Sequence, residues 1–213
     1  MKPIDLMIFD FDGTLVDTGE DIVRAVNHTL RSLGIGEKSR EKIISYVGDG
    51  MQVLLEKALG PEIGRYEEAK KIFTSFYRDH LLDNTRLYPG VAEVLRHFGA
   101  KKKWIVTNKQ YGYTAAIAEG LGISDYFDGI IGRDSGPYAK PDPRVLQETL
   151  GGQGIERDRA VVVGDGVQDV KMARNAGIEA CAFLNGLGDR EKLLRQRPDY
   201  SCERIIELKD LFC

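Results

Sequence analysis

The sequence predicts an α/β fold: a doubly wound, Rossmann-like parallel sheet with a small helical domain inserted after its first strand. Three observations lead there. Short apolar runs recur at 4–9, 103–107, 127–131, 160–163 and 179–184, each of strand length and each ending abruptly. Between the later runs lie helical patterns at 111–121, 142–150 and 167–176, and such alternation implies a parallel sheet covered by helices on both faces. Residues 16–84 break the alternation and read as helix after helix. The sheet domain is therefore expected at 1–15 and 85–213, and the inserted helical domain at 16–84.

Taken in order, the first run stops at Asp10-Phe11-Asp12-Gly13, which reads as a buried strand delivering polar groups at its end. The helical block follows at 20–33, 40–47, 51–59 and 65–82, punctuated by Gly34-Ile35-Gly36, Gly48-Asp49-Gly50 and Gly60-Pro61. Pro89-Gly90 returns the chain to the sheet, and the lysines at 101–103 read as a solvated approach to the next strand. Gly122 and Gly177 fall where left-handed C-terminal caps belong. Asp142 followed by Pro143 is an N-cap with proline at the first helical position, and Gly151 stops that helix.

Composition narrows the function classes. With 213 residues, 42% hydrophobic and 30% charged, the chain resembles an ordinary globular enzyme. A net charge of −3 offers no basic excess for a nucleic-acid partner. No apolar run reaches the roughly 18 residues of a membrane span, and the start lacks a leader pattern, so the cytoplasm is the expected location. Cys181, Cys202 and Cys213 form no CxxC pair, which fits a reducing compartment. His28, His80 and His97 are scattered, without zinc spacing.

The chemistry gathers at strand ends. Asp10 and Asp12 lie two residues apart, so an extended backbone would point both carboxylates into one crevice. Carboxylates that close repel, and a divalent cation lets both ionise; an all-oxygen donor set suits magnesium. Thr107-Asn108 end a second strand and offer a hydroxyl, an amide and backbone N–H groups to a phosphate. Lys140 stands at a helix entrance, where an ammonium would neutralise a nucleophile and a phosphate. Asp165 ends a third strand and Asp169 falls one helical turn later. Each cluster alone also fits a plain structural job: an acidic turn, a Thr-Asn turn, a surface lysine, a helix cap. In combination they mark the carboxyl edge of a doubly wound sheet, where ligands bind.

The segments Asp10-Phe11-Asp12-Gly13-Thr14-Leu15-Val16-Asp17-Thr18, Val106-Thr107-Asn108-Lys109, Lys140-Pro141-Asp142-Pro143 and Gly164-Asp165-Gly166-Val167-Gln168-Asp169 resemble, in order, the four motifs of the haloacid dehalogenase-like hydrolases. Asn175-Ala176-Gly177 resembles the end of the last motif helix. The resemblance implies a magnesium-dependent phosphatase with Asp10 as nucleophile and Asp12 as acid and base. It places Thr107, Asn108 and Lys140 on the phosphoryl oxygens. Asp10, Asp12 (through its carbonyl), Asp165 and Asp169 would hold the metal. Dehalogenases of the family lack an acid at the position of Asp12, which favours phosphate chemistry here.

The helical block resembles the small cap of the phosphoglycolate phosphatase-like branch, with Val47-Gly48-Asp49-Gly50-Met51 as its loop; a tight helix–helix turn explains the same residues. Gly166 departs from the small hydroxyl residue often found there, which should alter local hydrogen bonding. A small phosphorylated metabolite, phosphoglycolate first, is the expected substrate, and a monomer or homodimer the expected state. A phosphomutase shares the core residues, and a phospho-accepting signalling domain would share the acidic pocket.

Overall fold

The computed structural model describes residues 1–151 and 154–213. Its main sheet is built from β1 (Leu6–Phe9), β4 (Lys102–Val106), β5 (Gly129–Ile131), β6 (Ala160–Gly164), β7 (Glu179–Phe183) and β8 (Tyr200–Cys202). Their order is β5-β4-β1-β6-β7-β8, and every ladder is parallel. A second, two-stranded ladder pairs β2 (Val16–Asp17) antiparallel to β3 (Arg86–Leu87). The helices are α1 (Gly19–Ser32), α2 (Arg40–Ile44), α3 (Met51–Leu59), α4 (Tyr66–Asp79), α5 (Val91–His97), α6 (Tyr111–Gly120), α7 (Gln147–Gly151), α8 (Val167–Ala176), α9 (Arg190–Arg195) and α10 (Leu208–Leu211).

Strand period two explains why the sheet is apolar throughout. Met7, Phe9, Ile105, Val161 and Val163 face one hydrophobic cluster, while Leu6, Ile8, Val106, Ala160 and Val162 face the other. Strands buried on both faces need apolar residues at every position, which is why they appear as continuous runs. The first cluster extends into the helical block through Leu54, Phe73 and Tyr77.

The topology fixes where a ligand can sit. The chain leaves β1 for β4 and β5 on one side, then returns for β6, β7 and β8 on the other. The strand order therefore reverses at β1, and a crevice opens at its carboxyl end between β4 and β6. The helical block hangs over that edge from two crossings. The β2–β3 ladder ties them together, and buried Asp21 of α1 accepts hydrogen bonds from the N–H groups of Asn84 and Thr85 at 2.9 and 2.8 Å.

Several expectations need adjustment. β2 lies inside the stretch read as wholly helical, and β8, α5, α9 and α10 were not anticipated. Residues 143–146 form a 3₁₀ turn ahead of α7, although Asp142 does cap it, accepting from the Arg144 N–H at 2.9 Å. Gly122 and Gly177 adopt φ of 68° and 70°, as left-handed caps require. Lys103 is buried, not solvated: its ammonium turns back to the carbonyls of Phe98, at the end of α5, and Lys101 at 2.7 and 2.6 Å.

Candidate active site

Asp10 follows β1 directly, and its N–H still donates to Val163 of β6 at 2.9 Å. Beyond it the backbone no longer runs extended: the N–H groups of Leu15 and Val16 both turn back to the Phe11 carbonyl. Asp10 and Asp12 line one cavity, as expected, with a turn closing directly behind them. Gly13 takes φ of 84° in that turn, a conformation that costs glycine nothing.

The carboxylate of Asp10 uses Oδ1 to accept the Phe11 N–H at 2.7 Å and to meet the Lys140 ammonium at 2.7 Å. Its Oδ2 makes no hydrogen bond among the described residues. Lys140 also meets Asp169 at 2.7 Å. Asp165 is held by the Thr14 hydroxyl at 2.9 Å and by the Leu187 and Gly188 N–H groups at 2.8 and 2.9 Å. The N–H of Gly166 donates to Asp169 Oδ2 at 3.0 Å, so a backbone group without a hydroxyl neighbour fixes that carboxylate. A side chain at Gly13, Gly186 or Gly188 would collide with Asp165, so two chain segments, the turn after β1 and the 186–188 loop, approach it with bare backbone.

Carboxylate oxygens of Asp10, Asp165 and Asp169 lie within 4.8 Å of one another. Burial and the facing charge of Asp169 push Asp10 up to about 7, and burial with the charge of Asp10 pushes Asp165 up to about 7. Burial raises Asp169 as well. Burial alone would lower Lys140, yet the two carboxylates it touches overcome this and raise it. Three carboxylates against one ammonium leave negative charge uncompensated. A compact set of hard oxygen donors with surplus charge fits a divalent cation such as magnesium.

Asp12 is turned elsewhere. Its Oδ1 accepts from the Thr18 hydroxyl at 2.7 Å, and both oxygens meet the Lys109 ammonium at 3.1 and 3.2 Å. Lys109 also donates to the Tyr77 hydroxyl of α4 at 2.6 Å. Thr107 accepts the Lys109 N–H at 3.2 Å. The Asn108 amide donates to the carbonyls of Gly48 and Lys140 at 3.0 and 3.3 Å and accepts the Lys140 N–H at 3.1 Å. Asn108 therefore ties the lysine loop to the 48–50 loop. Asp49 in that loop accepts from Gln168 at 2.6 Å.

A cavity of about 60 Å³ lies between the sheet edge and the helical block, lined by Asp10, Asp12, Thr107 and Lys109 below and by Met51, Phe73 and Tyr77 above. All of Asp10, Asp12, Thr107, Asn108, Lys140, Asp165 and Asp169 gather at this edge. The sequence shows Lys109 and Thr14 within motifs without pointing to a role for either, and it carries no sign of Tyr77 or the 186–188 loop. Lys109 could have been noticed because it directly follows the Thr107-Asn108 strand end. Tyr77, one aromatic among several on a helix, carries no such signal.

A parallel sheet that gathers an acidic trio able to hold a metal ion, a buried lysine and a further aspartate at its switch point, beneath a helical block, has the makings of a hydrolase site. The family profile described as haloacid dehalogenase-like hydrolase matches residues 7–183. A phosphoglycolate phosphatase of Chromobacterium violaceum is 36% identical, covering 99% of this chain and 97% of that protein. One from Nitrosococcus oceani is 32% identical with the same coverage. Among solved structures, a haloacid dehalogenase-like hydrolase from Streptococcus pneumoniae superposes with a TM-score of 0.89 at 28% identity, covering 99% of each chain. The chain belongs to the haloacid dehalogenase-like hydrolases, in their phosphoglycolate phosphatase-like branch, and is an enzyme of the phosphatase class.

Proposed function

We propose that the chain hydrolyses a small phosphomonoester, 2-phosphoglycolate foremost, through a phosphorylated Asp10. The observation that carries this is the pairing at one cavity of Asp10, gripped by Lys140 on one oxygen only, with Asp12 held apart on its own lysine. Relatives sharing about a third of the sequence across its whole length bear the name phosphoglycolate phosphatase.

Asp10, Asp165 and Asp169, with the Asp12 carbonyl, would hold magnesium, which when bound supplies positive charge against the phosphoryl oxygens. The residues then divide the work. Asp10 attacks phosphorus through Oδ2 and the substrate P–O ester bond breaks, while Asp12, which enters this step having taken up a proton from solvent, passes that proton to the departing oxygen. Water next attacks the phosphorylated Asp10, Asp12 takes the water's proton, and inorganic phosphate leaves with the Asp10 carboxylate restored. Lys140, the Thr107 hydroxyl and the Asn108 backbone N–H hold the phosphoryl oxygens, while the Asn108 side chain keeps the loops in register. Residues 16–84 act as a cap whose 48–50 loop closes the cavity against water.

The experiment is a screen of phosphorylated metabolites with magnesium, followed by mass spectrometry of the acid-quenched enzyme. Release of free phosphate and a phosphoryl group on Asp10 are expected. Phosphate moved within the substrate instead of released, or label on another residue, would overturn the reading.

A further inference from the structure

One buried charge that lines the cavity takes no part in the proposed reaction. Lys109 has a side chain 6% exposed, lines the cavity and touches neither the acidic trio nor Lys140 among the described residues. An ammonium has three hydrogens. Here they meet Asp12 Oδ1 at 3.1 Å, Asp12 Oδ2 at 3.2 Å and the Tyr77 hydroxyl oxygen at 2.6 Å. No hydrogen is left over for a substrate oxygen, so this lysine is not arranged as a phosphoryl ligand.

Its partners come from three different parts of the chain. Asp12 stands on the turn after β1, Lys109 on the loop after β4, and Tyr77 on α4 of the helical block. Tyr77 is itself immobilised: it is 2% exposed, stacks on Phe73 at 5.3 Å and takes the edge of Tyr113 at 5.3 Å. A carboxylate on an open turn is otherwise free to rotate, and Thr18 restrains only one of its oxygens.

We propose that Lys109 is a positioning residue that, anchored by Tyr77, aims the Asp12 carboxylate at the departing oxygen and so makes proton delivery depend on where the helical block sits. This rests on the reading of Asp12 as acid and base. A plain structural ion pair would matter equally for every substrate. Aimed proton delivery matters most when the leaving oxygen is a poor leaving group.

The test compares kcat/KM for ethyl phosphate and 2,2,2-trifluoroethyl phosphate, which are similar in shape but differ strongly in how much their leaving alkoxide needs a proton. Wild type, Asp12→Asn, Lys109→Met, Lys109→Arg and Tyr77→Phe are measured with magnesium. Lys109→Met should lose about 10²-fold on ethyl phosphate and less than about 10-fold on the trifluoro ester. Lys109→Arg should regain part of the ethyl phosphate rate. Tyr77→Phe, isosteric apart from its hydroxyl, should show a smaller loss with the same bias. It decides the matter if Lys109→Met does not melt cooperatively. Equal losses on both esters, or a raised KM at unchanged kcat, would overturn the inference. If Asp12→Asn shows the bias and the Lys109 and Tyr77 variants do not, only this inference falls. If Asp12→Asn shows no bias, the assignment of Asp12 falls with it.

Discussion

Two lysines at the same sheet edge sit in opposite electrostatic situations. Lys140 faces Asp10 and Asp169, with Asp165 close behind, so one ammonium answers three carboxylates. Lys109 faces Asp12 alone and balances it one to one. The first cluster is incomplete as protein and raises the pKa of its own acids; the second is complete without any added ion. What this teaches is a division of labour by charge. The side proposed to bind a cation and a phosphoryl group is left short of positive charge. The side proposed to move a proton is closed on itself.

The comparison breaks first at the proposed nucleophile. Asp10→Asn removes both the attacking oxygen and one charge from the incomplete cluster, and kcat should fall by about 10⁴-fold or more. Turnover near that of the wild type, measured by phosphate release, would remove Asp10 from the mechanism.

Next in size is the metal-free state. Excess chelator should silence turnover until magnesium is returned. The unoccupied charge also has a stability signature. Asp10 and Asp165 titrate near 7 in the folded chain because burial penalises their charge, whereas in the unfolded chain they ionise near about 4. The folded chain therefore keeps protons that the unfolded chain gives up. The stabilisation is full below about pH 4 and is lost as pH rises through about 7, on the order of a few kcal/mol in all. In chelator, the melting temperature should fall between about pH 5 and pH 8 relative to the magnesium-loaded protein. A metal-free melting temperature that rises across that window would show the cluster to be compensated after all.

The smallest effect sharpens the other side. Thr18→Val deletes the hydroxyl's hydrogen bond to one Asp12 oxygen and leaves Lys109 on both. Turnover should drop less than about 10-fold. A loss as large as that of Asp10→Asn would mean that Thr18, not Lys109, is what sets the acid.

How much of this could be read in advance follows from how each feature is encoded. The central strands were legible because burial on both faces demands unbroken apolar runs, and α3 and α8 because glycines bracket them. β8, at three residues, and α9, at six, fall below the length at which periodicity shows. The acids and Lys140 were legible as motif residues, but the ties among them were not. That Asn108 uses its amide to bind two loops, and that Lys103 bends back onto α5, depend on contacts between segments with no fixed spacing. Tyr77 meets Lys109 across 32 residues, a separation that no local pattern records.

The bare backbone around Asp165 has a consequence for judging other chains of this kind. Counting acids would admit any sequence that keeps Asp10, Asp12, Asp165 and Asp169. Yet a methyl group at Gly13, Gly186 or Gly188 would shove Asp165 out of register as surely as deleting it. A paralogue with every aspartate intact and one of those three positions filled should be sorted with the inactive members, and its fault would lie in a residue that touches no ligand at all.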